Sequence, residues 1–563
     1  MDHFCITPRC SYCRFDFATS ENTTILRSDG RSITLPFSKL EYDNCTYEPC
    51  YPGCCHWDER LHGYHVDCIQ HGNYQSAPGL FDATSYAYDP WPGENVRRHR
   101  WMLDRLTSMI YRSLSPRLPF ELCGIIARYC VREYALSITR SFCRDNSASD
   151  FHIDLTQPVW ARYASLDGLA YIVSLTNKPT LDDAVPLPQP DVPVQIIYAA
   201  EDHLGVREVH FAGSSDKVQH HPRPGLWWRT VRVHGPKLKG HTDGSKLRRL
   251  LCPFAEHALG DNVLWATPQP DPQQLRLTML MVPSAPLRMA SLEIGQGVTG
   301  YSFCWNNCIV ALKPHSDKGD FSYYKHVMLR HPHALWLYVP FRPHERIVEI
   351  WQRRRKHGRE VALIVVTNID RIYVMGAYPR PSWHPCSYEL LYKDNHDRDS
   401  FFIDQSPAGI HAVASRPPSR GTKAHRIPIA LSPYPESMSF EDFLYTAASV
   451  EDVAYVRLCR AESSSIITGL VFGYTDGHEE SVGQTRLDRL EAHIMIDTSQ
   501  KMWLRVSRSI YGLPQVVDMG FSPTSKSIEG YIYITWHGCL EWWFSLNQCK
   551  LYHNSQASLS TRR

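Results

Sequence analysis

Ile347-Val348-Glu349-Ile350-Trp351, then Val361-Ala362-Leu363-Ile364-Val365-Val366, then Ile372-Tyr373-Val374-Met375-Gly376: these three apolar runs decide how the chain is read. Each is strand-sized, rich in β-branched and aromatic residues, and bounded by polar turns such as Thr367-Asn368-Ile369-Asp370. A similar pattern returns about 105 positions later: Val453–Leu458, Ile466–Tyr474, the hairpin signal Asp476-Gly477, and a polar strand to Gly483. Both copies read strand, loop, strand, tight turn, strand, so the second half is expected to repeat one β unit.

Working outward, the same texture begins near residue 155. Val194–Tyr198, Val206–Phe211 and Leu275–Val282 are short apolar runs between turn residues, as in β-sandwiches, prisms and propellers. Aromatics at 12%, with 15 Trp and 30 Tyr, suit half-buried pleated surfaces. The copies also resemble the strand pattern of jacalin-type β-prism lectins, through Glu345-Arg346-Ile347 and Val365-Val366-Thr367-Asn368. That resemblance implies a fold and no sugar site.

Before residue 155 the character differs. Leu118, Leu122, Ile125, Ile126, Tyr129 and Cys130 recur at helical spacing, with Pro119 suited to a first turn. Trp101, Leu103, Leu106, Met109, Ile110 and Leu114 form an earlier helical run. Upstream of these lie eight of the 18 cysteines, within 68 residues: Cys5, Cys10, Cys13, Cys45, Cys50, Cys54, Cys55 and Cys68. The start is polar and no run is long and apolar enough to span a bilayer, so a cytoplasmic or nuclear location without membrane attachment is expected. In such a reducing compartment clustered cysteines read as metal ligands rather than disulfides. Cys10-x2-Cys13 places two thiolates on one turn, and His62-x2-His65-x2-Cys68-x2-His71 offers donors at three-residue steps. On a helix, His65 and Cys68 would share one face. The expected ligands of structural zinc are Cys10, Cys13, Cys50, Cys54, Cys55, His65 and Cys68, with Cys5 and Cys45 in reserve. The alternating pairs resemble RING and PHD-type zinc modules, but no second Cys-x2-Cys follows Cys68. A Cys-rich set closes the coordination shell, so catalytic zinc is not expected.

Leu118-Pro119-Phe120-Glu121-Leu122 followed by Ile125-Ile126 resembles the opening of an F-box. That resemblance implies docking of Leu118, Pro119, Leu122, Ile125 and Ile126 onto a Skp1-type adaptor of a cullin ubiquitin ligase. Segment 131–142 lacks the Trp expected of a full F-box. With the Cys/His module and the β-rich remainder, which includes Glu201-Asp202-His203-Leu204-Gly205 and Leu540-Glu541-Trp542-Trp543-Phe544-Ser545, the chain resembles F-box-like proteins of filamentous fungi.

The expected fold class is therefore α+β, predominantly β. It comprises a zinc module (1–72), a linker (73–97), a helical F-box-like connector (98–142), a first β-rich region (155–335), a second with the internal repeat (336–553) and a disordered tail (554–563). A net charge of +2 over 563 residues gives no global footprint for nucleic acid. Gly295-Gln296-Gly297-Val298-Thr299-Gly300 precedes a strand-like run, not the helix a dinucleotide site needs. Arg353-Arg354-Arg355-Lys356 reads as a solvated hairpin tip. No HExxH, GxSxG, P-loop or convincing triad is present. The favoured function is a non-catalytic adaptor that selects an unknown client protein. Two rivals remain. One is an enzyme with a pocket near Glu201-Asp202-His203; the other is a carbohydrate-binding β module, with Trp227-Trp228 or Trp542-Trp543 as a stacking platform.

Overall fold

The computed structural model describes residues 2–26, 32–42, 45–50, 61–72, 85–91, 93–114, 117–142, 148–178, 183–213, 220–251, 262–269, 274–283, 286–295, 297–316, 319–356, 360–382, 385–394, 400–417, 429–436, 441–462, 464–522, 530–554 and 556–559. These residues are predominantly β-strand, mostly antiparallel, with helices concentrated between residues 66 and 142. Among them, no helix is long and apolar enough to cross a membrane.

The chain forms two compact units: residues 1–273 with 283–290, and residues 274–282 with 291–563. The chain passes between the two units around residues 274–291. In the first unit, the strand Asp2–Ile6 pairs parallel with Cys45–Pro49, which pairs antiparallel with Leu40–Tyr42. A second small sheet orders Ser32–Pro36, Asn22–Leu26 and His62–His65. Gly63 is required there: a Cβ would lie 2.9 Å from Thr23 Cγ2 and 3.0 Å from the Phe17 ring.

Three helices follow: Glu94–Leu114, Phe120–Tyr129 and Val131–Phe142. The expected linker therefore ends at Glu94, where a carboxylate in the first turn suits the helix dipole. Short antiparallel sheets complete this unit. One runs Val185–Pro186, Trp160–Leu166, Leu169–Thr176; another runs Leu247–Leu251, Lys237–Thr242, Ser149–Asp154. Every residue of Ile196–Glu201 is buried, because the strand is paired on both edges and covered on both faces.

In the second unit both expected copies are three-stranded antiparallel meanders. Ile347–Arg355, Val361–Thr367 and Ile372–Met375 form the first. Val453–Arg460, Ile467–Tyr474 and Glu479–Gly483 form the second. Their turns carry Asp370 (φ 60°) and Gly477 (φ 88°) in the left-handed region that tight hairpins use. One apolar cluster containing Phe303, Leu363, Val365, Leu470, Phe472, Leu504 and Trp542 holds these sheets.

Three expectations are corrected. Arg353 is not at a solvated tip: it lies inside the strand Ile347–Arg355, fully buried, with Nη2 2.6 Å from Glu360 Oε1. A guanidinium can be buried when a carboxylate faces it, and Glu360 comes from the start of the next strand's approach. Trp542 and Trp543 are both fully buried, because their strand is covered on both faces, so that pair is not an exposed stacking platform; in the other pair Trp228 is buried and Trp227 half-buried. The tail from Asn554 is not wholly frayed: Gln556–Ala557 pairs with Cys549–His553, and Ser558 N–H donates to Leu551 O.

Candidate metal centre and exposed helix face

Cys10, Cys13, His65 and Cys68 come together at one point, their donor atoms all within 4.8 Å of one another. The three cysteines are free thiols at 0% exposure, and His65 is 1% exposed. Local geometry explains the first pair. Arg14 N–H donates to Cys10 O (2.9 Å), Arg14 sits at φ 62°, and Tyr12 N–H points at Cys10 Sγ (3.4 Å). The chain thus folds into a tight knuckle with both sulfurs inward. The second pair comes from a strand-to-helix junction. His65 ends the strand His62–His65, and Cys68 lies in the first turn of the helix Val66–Gly72. The two share a site as the spacing suggested, but from a junction rather than one helical face.

His65 Nδ1 faces the sulfurs, 3.3 Å from Cys13 Sγ and 3.7 Å from Cys68 Sγ. Its Nε2 lies 3.5 Å from Glu21 Oε2, and the other Glu21 oxygen is 3.2 Å from Arg132 Nη1. A ligating imidazole that presents its second nitrogen to a carboxylate is the usual outer shell of a metal site. Without a cation the thiols conflict. Burial pushes Cys10 up, but hydrogen bonds from Cys13, Cys68 and His65 outweigh it and hold that thiol well below its ordinary value. Cys13 is pushed up to about 12, chiefly by its hydrogen bond to Cys10, and Cys68 is raised by hydrogen bonds to Cys10 and Cys13. One sulfur carries charge at the others' expense. A divalent ion among them removes that conflict.

The donor set fits a structural metal. A tetrahedral site with metal–sulfur bonds of about 2.3 Å has sulfur–sulfur edges of about 3.8 Å, and the observed spacing is within reach of that. Four protein donors close the shell, leaving no position for a reacting molecule.

Of the other expected ligands, Cys50 is buried but stands outside this group; its N–H donates to Ile6 O (2.8 Å). Its place just past the strand Cys45–Pro49 puts it on the neighbouring small sheet. Cys54 and Cys55 lie outside the described residues. Cys45 packs with Ile6, Ile25, Leu35, Tyr47 and Leu61 in a separate apolar cluster.

The centre is joined to the helices. Its apolar surroundings include Met102, Val131 and Ala135, contributed by two of them. Arg98 Nη2 donates to Cys13 O (2.8 Å), while Arg98 Nε and Arg14 Nη2 both reach Asp167 Oδ2, at 2.8 and 2.6 Å. Glu21, Arg132, Arg98 and Asp167 were not found by sequence reasoning, because single charged residues far apart carry no spacing signal.

The helix Phe120–Tyr129 turns its small residues inward. Cys123 and Ala127 are fully buried, whereas Leu122 (45%), Ile125 (49%) and Ile126 (39%) are exposed. Phe120 and Tyr129 are exposed with them, and the Phe120 ring meets exposed Tyr111 edge-on at 5.5 Å. The expected docking residues therefore sit on one outward apolar face, with Leu118 half-buried and Pro119 exposed at its start. Exposed Arg105, Arg112, Arg117 and Arg128 outnumber exposed Asp104 and Glu121 on the same two helices and the turn between them.

Glu201, Asp202 and His203 are occupied structurally. Glu201 forms a two-pronged pair with Arg229 (2.7 and 3.0 Å). Asp202 accepts from Tyr171 Oη (2.7 Å) and Leu204 N–H (2.9 Å), and the buried His203 ring meets Tyr86 edge-on. They build a turn, as Asp-x-x-Gly sequences do. No protein-family model matches the chain, and no curated protein matches it either.

Proposed function

We propose that this chain is a non-catalytic adaptor: its helix Phe120–Tyr129 docks on a Skp1-type protein of a cullin ubiquitin ligase, and its β-rich remainder selects a client. The observation that carries this reading is the outward apolar face of Leu122, Ile125 and Ile126. Large apolar side chains on a short helix are ordinarily turned inward, and here the inward positions go to Cys123 and Ala127 instead. The F-box-like opening at Leu118-Pro119 supplies the partner class. The arginine excess around the face favours a partner with an acidic rim.

The metal in this reading is zinc, which three thiolates and one imidazole in a closed set suit best. Its role is to hold the N-terminal module against the helices Glu94–Leu114 and Val131–Phe142, which flank the docking helix in sequence. The short meanders around one core in the second unit favour a propeller-like arrangement of that unit over a prism.

The test is capture of the full chain by a purified Skp1-type protein. Leu122 and Ile125 are about half exposed, so burying the rest in a groove stabilises by about 0.7–1.5 kcal/mol each, and a carboxylate in the groove costs more on top. The double variant Leu122→Glu, Ile125→Glu is therefore expected to lose binding at least a hundredfold while melting like the parent, since both positions are exposed. Undiminished capture by that variant, or no capture by the parent, would overturn the docking reading.

A further inference from the structure

A cavity of about 240 Å³ lies within the second unit, where four sheet-edge strands converge. Leu335–Pro340, Ile372–Met375, Leu444–Ser449 and Glu479–Gly483 each contribute to its wall, and each pairs on one side only within its sheet. Edge strands present backbone donors and acceptors that a ligand can use. Its wall includes four tyrosines: Tyr338, Tyr373, Tyr378 and Tyr445. The last two are pinned by the buried Trp543 ring, whose centroid is 4.9 Å from Tyr378 and 4.7 Å from Tyr445. The aromatic wall is thus preorganised.

The charges at this cavity cancel. Arg371 lines it, 2.9 Å from Glu345 Oε2 and 3.5 Å from Glu480 Oε1, and its guanidinium lies over the Tyr373 ring. Arg342 joins the same group through its backbone N–H, which donates to Glu345 Oε2. The ionic residues of the wall itself are one guanidinium, Arg371, and one carboxylate, Glu480, which leave no net charge to select an ion. Tyr373 lines the cavity, and its Oη is buried without a hydrogen-bond partner in the protein. A buried phenol without a partner is destabilising unless something else accepts from it. A phenol is protonated at neutral pH and so can donate, and burial raises the Tyr373 value further.

We infer that this cavity binds a neutral polyhydroxylated ligand of the size of one sugar ring. Ring faces pack the C–H face of such a ligand, while the Tyr373 hydroxyl and the Arg371 and Glu480 side chains offer donors and acceptors to its hydroxyls; the Tyr445 and Ser481 hydroxyls already donate to Glu541 and Tyr338 O. The volume lies below the usual range of about 300–1,000 Å³ for larger ligands, which limits the occupant to a single ring. This site is independent of the docking helix and of the metal centre.

The experiment is ligand-observed NMR and calorimetry on the full chain with glucose, galactose, mannose, N-acetylglucosamine and myo-inositol, and with choline and inorganic phosphate as charged probes. At least one neutral probe should bind saturably. Ala447→Trp, placed at an exposed position of the cavity wall, should abolish that binding. Tyr373→Phe, which keeps the ring and removes the unpartnered hydroxyl, should weaken it about tenfold. The inference is overturned if none of the five neutral probes saturates, if binding survives both substitutions unchanged, or if only a charged probe binds.

Discussion

Removing the metal should loosen the helices Glu94–Leu114 and Val131–Phe142, which pack on the cluster around the centre. Nine buried residues form that cluster: Cys10, Tyr12, Cys13, Phe17, Tyr64, Cys68, Met102, Val131 and Ala135. Three of the nine are the candidate ligands Cys10, Cys13 and Cys68, so a third of this core would depend on a bound cation. Structural zinc contributes about 10–16 kcal/mol of apparent binding energy in small domains, comparable with a whole domain's stability of about 5–15 kcal/mol. The helices keep other anchors, notably Arg98 on Asp167, so they should open locally rather than unfold with the whole unit. A loss of about 4 kcal/mol of local stability would raise amide exchange about a thousandfold. Hydrogen-exchange mass spectrometry on the full chain, before and after chelation and on Cys68→Ser, reads this directly. Protection should fall in residues 62–72, 94–114 and 131–142, and stay constant in residues 300–315 and 453–474. Unchanged protection in the three helical and strand segments after verified metal loss would refute the coupling.

Glu21→Gln keeps the size of the side chain and removes the carboxylate beside His65 Nε2. Metal affinity measured by competition with a chromophoric chelator should fall about 10–100-fold, with the ligands intact. Asp167 accepts from two buried guanidiniums, so Asp167→Ala should destabilise the first unit by about 3–5 kcal/mol in thermal or urea unfolding. Burial alone would raise the Asp167 pKa, but Arg14 and Arg98 outweigh it and hold it below the ordinary carboxylate value. Its contribution is therefore full above the unfolded value near pH 4 and is lost as pH falls through the depressed folded value. An acid-unfolding curve of Asp167→Asn should show a smaller loss of stability below about pH 4 than the parent shows. The double variant Leu122→Glu, Ile125→Glu should leave the metal content of the chain unchanged while removing capture by the Skp1-type protein.

How far the sequence could be read depends on the distance over which each feature is encoded. The Cys10-x2-Cys13 knuckle and the His65-x2-Cys68 step are local, so spacing alone found all four members of the centre. Cys50 was drawn in because cysteine density says nothing about which sheet a residue ends on. The strands Val361–Thr367 and Ile467–Tyr474 were legible because continuous apolar runs between turn signals have few other uses. The burial of Arg353 and of both rings of Trp542-Trp543 was not legible, since it depends on what covers a sheet's second face. The same holds for the four tyrosines of the cavity, which come from separate strands and meet only through the tertiary arrangement. The helical spacing at Leu118–Tyr129 gave an apolar face, but not its direction: Cys123 and Ala127 are the buried positions, and the larger Leu122, Ile125 and Ile126 are exposed. Close helix packing favours small side chains, which frees the large ones for the outside.

The claim on which the account turns is that three thiolates and one imidazole share one ion. X-ray absorption on the purified full chain, with elemental analysis of the same sample, tests it most directly. The account predicts one zinc per chain with three sulfurs at about 2.3 Å and one nitrogen at about 2.0 Å, lost in Cys68→Ser. A folded chain that carries no metal, or a first shell built of oxygen, would contradict it.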